Sequence, residues 1–254
     1  MPPTHFPKQS PPKPGSLWRR AGVAILSIPL LVVVWWGIDW LHDPQNMPFR
    51  TVQFEGEFRH LSAKQLEEAV VGYVGVGFFN VDVEAVRAAV EAFPWVYRAS
   101  IRRVWPDLLR VHVKEQQVLA RWGDKGLINV YGEYFAPAAE SFPQALPVLT
   151  GPMELLTQVV NQYLGMAKAT KGVERKITQL TVDQRRAWVM TWDNGVELKL
   201  GRSDPYPRLL RFLRVYPDLL AAHGPGLRTV DLRYSNGFAA QWDAQVAEEP
   251  GQPG

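Results

Sequence analysis

The stretch AGVAILSIPLLVVVWWGI, from Ala21 to Ile38, restricts this chain more than any other. It carries no charge, and Leu17-Trp18 and Trp40-Leu41 lengthen it at its two ends. About 20 apolar residues are enough to cross the hydrocarbon core of a bilayer as a helix. Trp18 on one side and Trp35, Trp36 and Trp40 on the other are placed as interfacial anchors. Pro29 predicts a kink, which membrane helices tolerate. The expectation is a transmembrane helix over residues 21–41. A cleaved signal peptide has a shorter apolar region, about 7–15 residues, followed by small side chains; here bulky residues follow, WWGIDWLHDPQ. Lys8, Lys13, Arg19 and Arg20 precede the run with no acid among them, and Asp39 and Asp43 follow it. The excess of positive charge then places residues 1–20 in the cytoplasm and everything beyond about residue 42 outside. The tail PPTHFPKQSPPKPG is proline-rich and reads as disordered or extended.

The remainder of a 254-residue chain has room for one to two domains. A net charge of +3 is too small to argue for nucleic acid. The absence of cysteine excludes disulfides, thiolate-held iron–sulfur clusters and a cysteine nucleophile.

Beyond the linker HDPQNMP, residues 49–115 read as one small α/β unit. TVQFEG alternates apolar and polar residues, as a strand does. LSAKQLEEAVVGYV reads as a helix capped by Ser62, with Gln65 completing a capping box. Gly75 is expected to end that helix. The Gly75-x-Gly77 pair follows a helix where a dinucleotide fingerprint has a strand, and it lacks that fingerprint's third glycine. DVEAVRAAVEAFPW is a second helix with Asp82 as its N-cap. Two strands follow, VYRASIRRVWP and LLRVHVKEQ, with a turn at Pro106-Asp107 and His112 on the outward face. The order β-α-α-β-β gives a three-stranded sheet with two helices on one face, and it resembles the POTRA docking module.

Residues 116–242 read as a second unit. Gln117–Trp122, Leu127–Phe135 and Pro147–Leu149 supply short strands, and MELLTQVVNQYLGMAKAT a helix with a wide apolar face. Asp193-Asn194-Gly195, between two alternating runs, signals a hairpin. RLLRFLRVYPDLLAAH is a further helix, and a last strand begins at Leu227 and continues to Tyr234, or as far as Trp242. The expected fold is α+β: the anchor, the POTRA unit, then a curved, mostly antiparallel sheet with helices on one side. That sheet is expected to end on a strand that no later strand flanks, with residues 243–254 a disordered tail. Asn236-Gly237 looks like the centre of a tight turn whose second strand is missing.

The sequence offers no catalytic constellation. The five histidines show no i,i+4 pair and no H-E-x-x-H. G-x-S-x-G is absent. Ser62 and Ser203 precede helices and read as capping or turn residues. Glu67-Glu68 and Glu248-Glu249 are adjacent pairs, which do not converge on one bond as a glycosidase pair must. No cofactor and no metal are expected. The alternatives kept open are a periplasmic peptidoglycan-modifying enzyme and a POTRA-type polypeptide-export chaperone.

The motifs RVWPDLLRVHVKEQQVLARW, LINVYGEYFAP, LPVLTGP, LKLGR with RLLRFLRVYPDL, and VDLRYSNGFAAQW stand in one order along the chain. In that order they resemble the FtsQ/DivIB family of bacterial cell-division proteins, in its proteobacterial branch, from Trp18 to Trp242. Asn129 stands where the family motif has Asp. The resemblance implies a non-enzymatic divisome scaffold. It would be a single-pass type II protein of the inner membrane at the septum, with its bulk in the periplasm. The implied partners are FtsB and FtsL, which would link it to septal peptidoglycan synthesis by FtsW and FtsI, with FtsK and FtsN among the other division proteins. It also implies a partner-binding surface at Arg185, Arg233, Tyr234, Asn236, Gly237 and Trp242. At the first position Arg186 fits the Arg-Arg-x-Trp pattern as well as Arg185. Strand alternation alone leaves open whether Tyr234 and Trp242 serve a partner or the core.

Overall fold

The computed structural model describes residues 15–43 and 45–243, with side chains in the first helix described from Pro29 onward. Most of the expected cytoplasmic tail and the expected C-terminal tail from residue 244 lie outside the described residues. The chain forms two compact units, Met1–Lys114 and Glu115–Gly254.

The first unit opens with helix α1, Gly15–His42, whose 28 residues are enough for about 42 Å at 1.5 Å per residue. Pro29 lies inside it. Among the described residues no helix is long and apolar enough to cross a membrane. The first half of the apolar run falls on side chains outside those residues. Strand β1 (Thr51–Glu55), helices α2 (Ala63–Val74) and α3 (Val83–Glu91), and strands β2 (Val96–Val104) and β3 (Leu108–Glu115) follow. The sheet order is β1-β3-β2, with β1 parallel to β3 from Thr51↔Leu108 to Glu55↔His112. This is the expected β-α-α-β-β unit.

Local chemistry explains its helices. The Ser62 hydroxyl accepts from the Gln65 amide at 3.2 Å, and the Gln65 side chain accepts from the Ser62 amide at 3.1 Å, a complete capping box. Asp82 accepts from the amides of Glu84 and Ala85 at the start of α3. Gly75 does cap α2, but in a right-handed conformation at φ −67°; the left-handed turn comes two residues later, at Gly77 with φ +89°. Leu66, Val70, Val86 and Val90 from the helices meet Leu109, Val111 and Val113 from β3 in one core. His112, between two of those residues, is exposed.

The second unit is a nine-stranded sheet with two helices. Its strands are β4 (Val118–Trp122), β5 (Gly126–Asn129), β6 (Tyr134–Phe135), β7 (Val148–Thr150), β8 (Ile177–Val182), β9 (Trp188–Trp192), β10 (Glu197–Gly201), β11 (Leu227–Asp231) and β12 (Ala239–Trp242). Helix α4 (Leu156–Thr170) lies between β7 and β8, and α5 (Pro205–His223) between β10 and β11. The order is β12-β11-β10-β9-β8-β7-β4-β5-β6. Adjacent strands are antiparallel except at β10–β11, β4–β7 and β7–β8. Those parallel steps at β7–β8 and β10–β11 fall where a helix makes the crossover, as parallel neighbours require. Leu180, Met190, Leu198 and Val230 on the helix-covered face join Val159 from α4 and Leu209 and Phe212 from α5 in a single core. Ser203 caps nothing; the α5 N-cap is Asp204, with no side-chain cap bond.

One expectation is overturned. The sheet does not end on an unflanked strand running from Leu227 toward Trp242. The strand stops at Asp231, and the chain returns as β12, antiparallel to β11, with Leu227↔Trp242, Val230↔Ala240 and Asp231↔Ala239 in register. Ala, Ala and Gln have weak strand preference, so the pattern of AAQW is not strand-like by itself. Pairing with β11 and the packing of Ala240 and Trp242 against the core supply what local preference lacks.

Asn129 is fully buried and fully used. Its Oδ1 accepts from the amides of Tyr131 and Glu133, both at 2.9 Å, and its Nδ2 donates to Gln116 Oε1 at 3.0 Å and Glu133 Oε2 at 2.8 Å. It holds the turn between β5 and β6. Replacing it by Ala leaves buried amides unpartnered, and Asn129→Ala is expected to lower unfolding free energy by about 2–3 kcal/mol. Ser62→Ala, which removes one exposed cap, is expected to cost about 1 kcal/mol. Urea unfolding of the two variants checks the order, which fails if Asn129→Ala is the milder change.

Candidate functional site

Four strand ends of the second unit converge. The register Val189↔Lys199↔Asp231↔Ala239 runs from β9 to β12, and Gly201 pairs Trp188 one step further on. The β8–β9 turn, the end of β10, the end of β11 and the start of β12 therefore share one end of the sheet. The turn holding Arg185 and the loop Leu232–Phe238 stand at this same end. Three strand spacings of about 4.8 Å separate β9 from β12, roughly 14 Å. Arg185 thus shares an end of the sheet with the loop without belonging to it.

The loop is built by its own charges and by α5. Arg233 lies against the Asp231 carboxylate, with Nε at 2.8 Å from Oδ1 and Nη2 at 2.5 Å from Oδ2, and the Arg233 amide also donates to Oδ1. These hydrogen bonds hold the Asp231 carboxyl below the usual carboxylate range against a smaller opposing effect of burial, and they raise the Arg233 guanidinium above its ordinary value. The guanidinium fork is thus engaged within the chain. The Arg233 stem passes over Gly201, which has φ +77°; a Cβ there would stand 3.0 Å from Arg233 Cγ and 2.6 Å from Arg208 Nη1. From α5, Arg211 Nη1 donates to the Ser235 carbonyl at 2.6 Å and Nη2 to the Tyr234 carbonyl at 3.1 Å. Phe238 closes the loop edge-on against Phe212 of α5, centroids 5.5 Å apart.

With its backbone so held, the loop turns its side chains out. Tyr234 is 58 % exposed, and Arg233, Ser235, Asn236 and Gly237 are all exposed. Tyr234 to Ala239 line an open depression of about 410 Å³. A Cβ on Gly237 would meet no atom within 4 Å, and its φ is not left-handed. The fold itself makes no demand for glycine there, and the centre is not a tight Asn-Gly hairpin turn. Trp242 differs from Tyr234. It is half-buried, packs on the core, and stacks on His223 of α5 with centroids 4.8 Å apart. Of the two aromatic residues left open by alternation, Tyr234 faces solvent and Trp242 serves the core in part.

Arg185 and Arg186 are both exposed in the β8–β9 turn. Arg186 takes the left-handed conformation, φ +61°, and its amide donates to the Asp183 carbonyl at 2.9 Å. Arg211 escaped the sequence reading. Its contact spans 24 residues, and nothing in RLLRFLRVYPDL marks which arginine reaches back to the loop.

Among the described residues, β12 is the edge strand of the sheet on this side. Ala239, Ala240, Gln241 and Trp242 carry no charge and no proline, the devices that usually protect an edge from pairing. The opposite end of the same strands holds an open groove of about 900 Å³ lined by Arg175, Glu197, Tyr216, Arg228 and Asp243. There the Arg175 Nε donates to the Tyr216 hydroxyl, and Arg228 pairs with Asp243. Neither place couples a nucleophile to a base. Among the described residues no group of three or more histidine, aspartate and glutamate side chains could hold a metal ion.

A small α/β unit followed by a mostly antiparallel sheet that carries helices is an α+β protein of two units. The comparisons give that class its family. Residues 47–116 match the family described as POTRA domain, FtsQ-type, and residues 120–233 match Cell division protein FtsQ/DivIB, C-terminal. The cell division protein FtsQ of Allochromatium vinosum is 38% identical over 222 residues, 86% of this chain and 88% of the relative. That of Shewanella oneidensis is 37% identical over 236 residues, covering 91% and 89%. That of Coxiella burnetii is 34% identical over 218 residues, covering 86% and 90%. The chain belongs to the FtsQ/DivIB family of cell division proteins. As a member of this family of non-enzymatic scaffolds, it is a cell division protein.

Because Asp231 titrates lower folded than unfolded, its pair with Arg233 stabilises the fold above the ordinary carboxylate range and ceases to do so as pH falls through the folded value. Arg233→Gln is expected to move the Asp231 carboxyl back up toward its ordinary value, read by NMR titration, and to flatten the acid side of the stability profile. An unshifted carboxyl contradicts the pairing. Arg211→Met is expected to speed amide exchange in residues 233–237 while leaving the core of the sheet protected. Uniform loss of protection would make Arg211 a core residue instead.

Proposed function

We propose that this protein is a divisome scaffold that takes up a strand of a partner of the FtsB type along the outer edge of β12. The observation that carries the reading is the uncharged β12 edge, which no other strand among the described residues pairs, directly beside the exposed Tyr234–Gly237 loop. An added strand would pair the free N–H and C=O groups of β12, and side chains beside the edge would supply specificity. Tyr234 would provide broad, stiff contact area, and Asn236 would offer hydrogen bonds to an incoming backbone. Gly237 would admit that backbone where a methyl group stands in its way. Arg233, its fork engaged by Asp231, would present a fixed positive field more than a free fork. Arg185 or Arg186 would meet a more distant part of the same partner. Trp242 would shape the end of the edge from its seat on the core.

In this reading residues 21–41 anchor the chain in the inner membrane, with residues 1–20 cytoplasmic and the two folded units periplasmic. The tryptophans flanking the apolar run and the basic residues before it support that orientation. FtsB together with FtsL would connect the scaffold to control of septal peptidoglycan synthesis by FtsW and FtsI. The POTRA unit would serve other division proteins such as FtsK or FtsN.

Gly237 separates function from folding. Gly237→Val is expected to leave the thermal midpoint within a degree or two and to weaken binding of an FtsB-type periplasmic segment at least tenfold. Tyr234→Ala is expected to act the same way, whereas Trp242→Ala also lowers the midpoint because it strips packing from the core. Matched melts and binding titrations check all three. Unchanged affinity in Tyr234→Ala and Gly237→Val contradicts strand addition at this edge.

A further inference from the structure

We propose that the turn between β2 and β3 is a second, peripheral membrane contact. In it the Trp105 indole seats in the lipid headgroup layer and fixes how the POTRA unit stands on the bilayer. The inference rests on the reading of residues 21–41 as a membrane anchor and adds a site to it.

Trp105 is 74 % exposed, the most exposed large apolar side chain among the described residues. Its position carries the argument. The Arg50 amide donates to the Asp107 carbonyl at 3.0 Å, and Thr51 pairs Leu108, so the turn lies beside the start of β1. Arg103 Nη2 donates to the Val81 carbonyl at 2.7 Å, tying the end of β2 to the loop after α2. That loop in turn holds the exit from α1. Asn80 Nδ2 donates to the His42 carbonyl at 2.6 Å, and the Phe78 amide donates to the Met47 carbonyl at 2.8 Å. The Phe49 and Phe78 rings stand 5.3 Å apart, and those of His42 and Phe79 5.9 Å.

The turn, the loop and the C-terminal end of α1 therefore occupy one end of the unit. If α1 leaves the bilayer near His42, this end faces the outer surface of that bilayer. Val76, 43 % exposed, lies in the loop at the same end. Of the charges at this end, Asp107 pairs with Arg50 at 3.6 Å and Arg102 is an exposed cation, set against the exposed carboxylates of Asp39 and Asp43 at the end of α1. Indole rings partition to the headgroup level because one edge is polar and the body apolar. A lipid surface fits better than a protein occupant because the same loop that carries Val76 is bonded to the end of the anchor helix.

The chain contains no cysteine, so one introduced cysteine takes an environment-sensitive fluorophore at a single site. The full chain is reconstituted in phosphatidylethanolamine–phosphatidylglycerol vesicles. Nitroxide lipids quench from the headgroup level or from the chain ends. With Trp105 retained, Arg102→Cys and Val76→Cys probes are expected to be quenched several-fold more by headgroup nitroxides than by chain-end ones. They are also expected to be quenched several-fold more than a Glu57→Cys probe, which sits beyond the far end of β1. Val33→Cys, inside α1, is expected to be quenched from the chain ends. If Val33→Cys is quenched and the 102 and 76 probes match Glu57→Cys, the peripheral contact is wrong and the anchor stands. If Val33→Cys is not quenched, the anchor reading fails and this inference falls with it.

Discussion

The pairing of β12 with β11 is the contact on which the arrangement of the loop between them depends. Four residues without strong strand preference are held in register from Ala239 to Trp242 by a neighbour already fixed in the sheet. That pairing covers β11 and transfers the open edge to β12. It also forces the chain between them into a loop, which Arg233 and Asp231 stiffen from within and Arg211 clamps from α5. Without the short strand, the loop would have no second end and Tyr234 no fixed direction.

The same arrangement separates what holds the fold from what a partner could use. The Tyr234 and Ser235 carbonyls and the Leu232 and Arg233 amides are engaged within the chain, while the side chains of residues 234–236 face outward. Gly237 illustrates the division. A residue whose Cβ would meet nothing, and whose φ any amino acid could adopt, is unconstrained by its own fold. Trp242 illustrates the opposite, being packed on the core and stacked on His223 while it terminates the exposed edge.

Much of the fold was legible where chemistry is local. The Ser62–Gln65 box, the Asp82 cap and the Asn194-Gly195 hairpin each act within a few residues, and each lies where its motif placed it. The two-unit organisation followed from the order of periodic segments. What escaped was non-local. AAQW becomes a strand only because β11 is beside it, and Arg211 meets a carbonyl 24 residues away. The missing partner strand inferred for the last strand turned out to be, first, the chain's own β12. The motif resemblance grouped these residues along the chain, but not their surroundings: Arg233 is engaged by Asp231, Tyr234 faces solvent and Trp242 packs partly on the core.

The central claim is that a partner's strand completes the sheet at β12. Residue-resolved amide hydrogen exchange, with and without an FtsB-type periplasmic segment, tests it most directly. The account predicts that the outward amides of residues 239–242 go from fast to slow exchange on binding, with residues 234–237 following and β8 to β10 unchanged. Binding that protects another surface while β12 continues to exchange freely would contradict it.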